Sequence, residues 1–274
     1  MNIHIADGRE LDWPNASTDS IEYESQLKIR RVLTFARNFS AVVRKFENSD
    51  FYGMTPAVAP DGRHILQFKI DPLPEEVPIL IGEIVHGLRS SLDVLWSAMT
   101  RRLGLSDKNV YFPVRKTEAE QRGVISVDPV AIAVPAVGSI IVDKHRLYQV
   151  GRSPCPLVHH VNLLDRADKH QLLVSAFSLA GFTDFHMIDA NRNVTIVTSP
   201  LLLRAGITNL VSPWGAAVEK IHHNRPGVFV AFNEPKIFDD PRPVPVFDAM
   251  PLLSAAVTQV VMDISQAWKD AGRH

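Results

Sequence analysis

The order in which two kinds of periodicity appear along the chain limits its fold more than any motif does. Helix-spaced apolar residues dominate residues 18–182, strand-like alternation follows over 183–235, and one more helical pattern closes the sequence. Ile21, Ile29, Val32, Leu33, Ala36, Phe39, Val43 and Phe46 predict a helix from near Asp19 to about Glu47, with Glu22 completing a capping box. A second helix is expected from Glu75 to about Arg102. Glu75 and Glu76 suit its positive end and Gly104 its stop. A third is expected from Leu157 to Ala180, ended by Gly181. The last carries Leu253, Val257, Val260, Val261, Ile264 and Trp268. His64 to Ile70, Val194 to Thr198 and Val228 to Phe232 read as strands. Asn191-Arg192-Asn193, Ser212-Pro213-Trp214-Gly215 and Asn224-Arg225-Pro226-Gly227 read as turns. Five prolines between residues 105 and 156 allow only short helices there.

No strand–helix–strand alternation appears, so the order predicts an α+β fold and not a doubly wound parallel sheet. The expected architecture is a bundle of about four long helices packed with a small antiparallel sheet. One domain over 1–274 is expected: a leader over 1–17, a mainly helical part over 18–182, a mainly strand part over 183–235, and a C-terminal helix over 246–271 returning to the bundle. Hydrophobic residues at 46% and charged residues at 22% exclude a wholly disordered chain. A net charge of −1 removes the simplest case for a nucleic-acid or anionic-membrane binder. A single cysteine, Cys155, excludes an internal disulfide and a cysteine-rich zinc module; between Pro154 and Pro156 it reads as a packing residue. No signal-like N-terminus is present, and no apolar run is expected to approach the ~18–20 residues of a membrane span, so a cytoplasmic location and no membrane partner are expected.

No dinucleotide fingerprint, nucleophile elbow or His-Glu-x-x-His motif occurs. Gly82 and Gly87 have phosphate-loop spacing, but Leu88-Arg89 follows and the segment is helical. The second helix instead carries Glu83, His86, Arg89, Ser90 and Asp93 within roughly a third of its circumference. Ile81, Ile84, Leu88, Leu92 and Leu95 occupy the opposite side. The third helix reads His159-His160-Val161-Asn162-Leu163-Leu164-Asp165-Arg166-Ala167-Asp168-Lys169-His170. It is apolar on several faces, so its ionisable groups must be paired, with Arg166 to Asp165, or to a carboxylate of the second helix, the obvious pair. The repeated Asp143-Lys144-His145 reads as coincidence, and His222-His223 as an exposed loop.

Gly82-Glu83-Ile84-Val85-His86-Gly87-Leu88-Arg89-Ser90-Ser91-Leu92-Asp93, then Phe112-Pro113, then Asp168-Lys169-His170, resembles a bacterial family of hypothetical proteins. Its pattern is Gly-Asp-x-x-His-Asn-Leu-Arg-Ser-Ala-Leu-Asp-His, Phe-Pro and Asp-Lys-His-Arg, and the resemblance runs from the first long helix to the last. Here Glu83 replaces Asp, Gly87 replaces Asn, Val94 replaces the final His and Gln171 replaces Arg. The family's Arg-x-x-x-x-His spacing is similar to that of HEPN-type helical ribonucleases. With Val94 in the place of that His, such chemistry would fall to His86 or His170.

Three readings stay open. In the first, His86 and His170 act as base and acid, since histidine alone titrates near neutral pH without help. Arg89 and Lys169 would hold an anionic group, Asp93 and Asp168 would orient the imidazoles, and RNA is the substrate class the resemblance implies. In the second, Glu83-x-x-His86 with Asp168 and His170 binds iron, manganese or zinc. In the third, the stripes lock the helices of a non-enzymatic binding or assembly protein, with a small molecule or a second copy (a homo-oligomer) as partner.

Overall fold

The computed structural model describes residues 2–4, 10–12, 17–148, 157–171, 176–182, 185–197, 201–211, 217–232 and 244–273. Where the sequence suggested one domain, the chain divides into two compact units. The first comprises Met1–Asn38, Pro78–Val174 and Glu234–His274; the second, Phe39–Val77 and Ser175–Asn233. The class is α+β with antiparallel sheets. Among the described residues it is built from seven helices and several small sheets, so a bundle of about four long helices beside one sheet does not describe it.

Helix α1, Tyr23–Glu47, starts in the first unit and ends in the second. It begins later than the Asp19 expectation. Residues 18–22 form turns, and the Glu22 carboxylate accepts from Lys269 Nζ at 2.6 Å, so it serves a tertiary pair and not a capping box. Residues read as a leader include the paired strands β1, Asn2–His4, and β2, Glu10–Asp12. Helix α2, Glu76–Arg102, has the expected bounds, and Gly104 ends the turn after it at φ 74°. Its Ile81, Ile84, Leu88, Leu92 and Leu95 are at most 1% exposed and form the core of the first unit. Three short helices follow: α3, Glu118–Val127; α4, Pro129–Ala133; α5, Pro135–Ser139. Thr117 and Glu120 make a reciprocal capping box at α3, and Asp128 caps α4.

Helix α6 is Leu157–Gln171, not a helix to Ala180. Ala176–Phe182 is strand β5, held between β8 (Leu201–Arg204) and β11 (Gly227–Phe232). Ala176, Leu179 and Ala180 favour a helix locally, and long-range pairing overrides them. Gly181 is not a helix stop. It lies in mid-strand opposite Gly227, where the Phe229 ring covers its backbone and leaves no room for a Cβ.

The rest of the second unit is antiparallel. Strand β3, Tyr52–Val58, pairs with β4, His64–Ile70, which pairs with β9, Gly206–Val211. Strand β6, Phe185–Asp189, lies between β7, Val194–Val197, and β10, Val218–His222. The turn at Asn191–Asn193 is held by the Asp189 carboxylate, which accepts from two backbone N–H groups and the Asn193 amide. Phe51, Leu66, Phe68, Phe182, Phe185 and Met187 form the core. His223 is no free loop residue: its ring packs on Tyr52, Phe182 and Phe185. The predicted turn over 212–215 and Cys155 lie outside the described residues.

A short strand, β12 (Val244–Pro245), leads into the last helix, α7, Val246–Asp270. It corrects the expectation of no span-length apolar run, since it is long and apolar enough to cross a membrane by length and composition. In the structure its apolar stripe packs in the first unit, with Leu253, Val257, Val260, Val261 and Ile264 fully buried. Asp263, inside this helix, accepts from Lys144 Nζ and His145 Nε2, each at 2.7 Å. The Asp143-Lys144-His145 tripeptide therefore works as a fastener for α7.

Candidate functional site

The polar stripe of α2 is graded around the helix. Successive residues advance by about 100°, which orders the stripe as Arg89, Asp93, His86, Ser90, Glu83. Side-chain exposure follows the first part of that order: 9% for Arg89, 24% for Asp93 and 50% for His86. The two ends of the stripe have different partners.

At the buried end, Arg89 and Asp93 clasp one peptide segment. Arg89 Nη2 donates to the Phe112 carbonyl at 2.9 Å, and the Phe112 N–H donates to Asp93 Oδ1 at 2.8 Å. Arg89 Nη1 lies 3.0 Å from Asp93 Oδ1, a charge contact whose angles fall short of a hydrogen bond. Burial pulls the guanidinium below its ordinary pKa, opposed by the charges of Asp93 and Asp165. Burial pushes the Asp93 carboxyl up, opposed by Arg89 and by the Phe112 N–H. The Phe112 ring stands edge-on to Trp96 at 5.4 Å. The network continues through fully buried Gln121, which donates to the Pro113 carbonyl and accepts from the Arg115 N–H. The Phe-Pro part of the motif is thus tied to the Arg and Asp of the helix. Arg89, expected to hold an anion, instead gives Nη2 to the Phe112 carbonyl, and Asp93, expected to orient an imidazole, accepts from the Phe112 N–H.

At the open end, His86 Nδ1 lies 2.9 Å from Oδ1 of Asp165 on α6. Asp165 is only 4% exposed, and its Oδ2 accepts from Lys169 Nζ at 2.6 Å, one helical turn on. His86 Nε2 faces Ser90 Oγ at 3.3 Å. Asp165 therefore orients the imidazole, the role expected of Asp93 and Asp168. Lys169 pairs with Asp165, and Arg166 is exposed instead of paired to Asp165. Asp168 lies against α2, where a Cβ on Gly82 would come within 2.5 Å of its Oδ1. Gly82 thus lets the two helices meet one turn before His86. The side chain of His170 lies outside the described residues, and so does its expected meeting with His86.

Glu83 and His86 border a cleft of about 210 Å³ whose other wall is α1. Among the described residues no three His, Cys, Asp or Glu side chains come together as a metal-binding group. The sequence offers Asp165 as a partner for Arg166, and not as the partner of His86. The Asp165 spacing of four to Lys169 was the available signal. The α1 wall escaped the sequence reading because that helix was read for its apolar stripe alone.

His159 and His160, at the start of α6, are both buried. Burial, then the Arg166 charge, lowers the pKa of His159; burial and His159 lower that of His160 to about 4. Both stay neutral at pH 7. No known family model, curated protein or solved structure matches the chain.

Proposed function

We propose that the protein is a metal-independent acid–base catalyst acting on an anionic substrate, with an RNA phosphodiester as the class to assay first. The observation that carries this reading is the His86–Asp165 pair. A nearly buried carboxylate fixes one nitrogen of a half-exposed imidazole, leaving the other beside a hydroxyl and an open cleft. Donation of the Nδ1 proton to Asp165 sets the tautomer in which Nε2 carries the lone pair. Nε2 then takes the proton of a substrate hydroxyl as its oxygen attacks the adjacent phosphorus. The bond to the leaving oxygen breaks, and that oxygen is protonated by a general acid, the role assigned to His170. Asp165 stabilises the imidazolium formed, as an orienting carboxylate does in a hydrolase triad.

The Arg89–Asp93 clasp favours a second reading for the buried half of the stripe, that of locking the fold. If His86 had only that role, the protein would be a binding or assembly module. The test is incubation of the full chain with a fluorescent single-stranded oligoribonucleotide in the presence of a chelator. Cleavage leaving a cyclic phosphate, slowed by about 10²–10⁴ in His86→Ala with unchanged circular dichroism, is the expected result. No cleavage by the wild type, or equal cleavage by the variant, contradicts the proposal.

A further inference from the structure

Among the described residues, the cations facing His86 are not tied up in ion pairs, unlike several others in the first unit. Lys169, Lys269, Arg101, Arg122 and Lys144 each meet a carboxylate within 3.2 Å. Lys28 and Arg31, on the α1 wall of the cleft, have no carboxylate partner among the described residues. Lys28 is part-buried as a residue, and a lysine buries its alkyl stem while keeping its ammonium in water. Arg31 is held in place by its own helix: its guanidinium lies over the Phe35 ring, 5.3 Å from the centroid. Lys28, Arg31 and Phe35 are spaced by three and four residues and share one face of α1. The cleft floor owes its shape to Gly87, where a Cβ would come within 2.5 Å of Val32 Cγ2. Among the described residues Glu83 is the only acid lining the cleft, so two positive charges line it against one negative charge.

We infer that this cleft is a nucleotide subsite: Lys28 and Arg31 hold the phosphate beside His86, and the Arg31–Phe35 stack supports the attached base. The inference rests on the reading of His86 as the proton-transfer group and supplies its substrate contacts. Paired cations with an Arg plane suit a phosphate next to a flat ring, and exposed guanidinium planes stack on unpaired bases. The two cations would also hinder a metal ion from settling there. The space of about 210 Å³ takes a phosphate and part of the adjoining nucleoside, and it is open at the surface, so the rest of a strand can continue past it.

The test is calorimetric titration of the full chain with adenosine 3′-monophosphate and, separately, inorganic phosphate. The nucleotide is expected to bind, at least tenfold more weakly in the Lys28→Gln/Arg31→Gln double variant. Phe35→Leu is expected to narrow the gap between nucleotide and phosphate. Equal nucleotide binding by the wild type and the double variant, or no binding of either probe, overturns the inference. Inorganic phosphate binding as tightly as the nucleotide overturns the base contact. In the oligonucleotide assay the double variant should raise KM far more than it lowers kcat. Cleavage with unchanged KM would sink the subsite and leave the catalytic reading standing. Nucleotide binding that depends on Lys28 and Arg31, without any cleavage, would do the reverse.

Discussion

His86 and Arg89 stand about one turn apart on the same face of the same helix, and the structure uses them in opposite ways. His86 is half-exposed, spends one nitrogen on Asp165 and keeps the other beside a cleft. Arg89 is buried and spends its donors on a peptide carbonyl and an ion pair. Residue type does not separate them, since each pairs with an aspartate. What separates them is about 60° of rotation around α2. That turn moves a side chain from the packed interface with the Phe112 segment to the rim of a cavity. A polar stripe on a helix can therefore be half scaffold and half site.

The largest expected effect lies at the open end. Asp165→Asn should slow cleavage by about 10²-fold or more, because the amide no longer enforces the productive tautomer of His86; single-turnover rates read this directly. Unaltered rates would remove Asp165 from the mechanism and blur the contrast with Asp93.

At the buried end the cost is in stability. Arg89→Met should destabilise the protein by about 3–5 kcal/mol, measured by urea unfolding, because Asp93 and the Phe112 carbonyl lose their partner. Adding Asp93→Leu should not restore it. An ordinary buried ion pair can be replaced by apolar residues at little cost. A clasp leaves the Phe112 N–H and C=O orphaned. Full recovery in the double variant would show that Arg89 and Asp93 serve only each other.

Helix α6 sharpens the comparison with a histidine that cannot be charged. The folded-state pKa of His160 is lowered to about 4, below the unfolded value of about 6.5. The unfolded chain therefore binds more protons in between, and stability should fall as pH drops from about 6.5 towards 4, by at most about 3 kcal/mol. Unfolding midpoints across that window should flatten in His160→Leu. An equally steep slope in the variant would assign the loss to other groups.

The smallest effect concerns the cleft floor. Gly87→Ala should cost about 1–3 kcal/mol, because stiff, buried Val32 cannot move aside, and thermal melting reads it. A neutral result would mean that the α1 wall gives way and is not a fixed surface.

Much of this arrangement was legible in the sequence where local chemistry decides it. The ends of α2, the β4 strand and α7 follow from periodicity and from Gly104, and the structure repeats them. The sequence misled where distant partners decide. Ala176–Phe182 has helix-forming residues but two strand neighbours. Glu22 has the spacing of a capping residue but a lysine from α7. The stripe of α2 was visible, and so was the third helix as the element able to partner it. Which aspartate meets His86 depends on the rotation of α6 against α2, which Gly82 permits and no spacing rule specifies. The Phe112-Pro113 motif was noticed as a pattern. Its role as the object held by Arg89 and Asp93 required the loop's path.

The measurement that tests this division most directly is urea unfolding of the full chain at pH 7 for His86→Ala and Arg89→Met side by side, followed by helical circular dichroism. His86→Ala should stay within about 1 kcal/mol of the wild type, since its pair is half-exposed and Asp165 keeps Lys169. Arg89→Met should lose at least about 3 kcal/mol. Equal losses in the two variants, whether both large or both small, would contradict the account of one stripe split between site and scaffold.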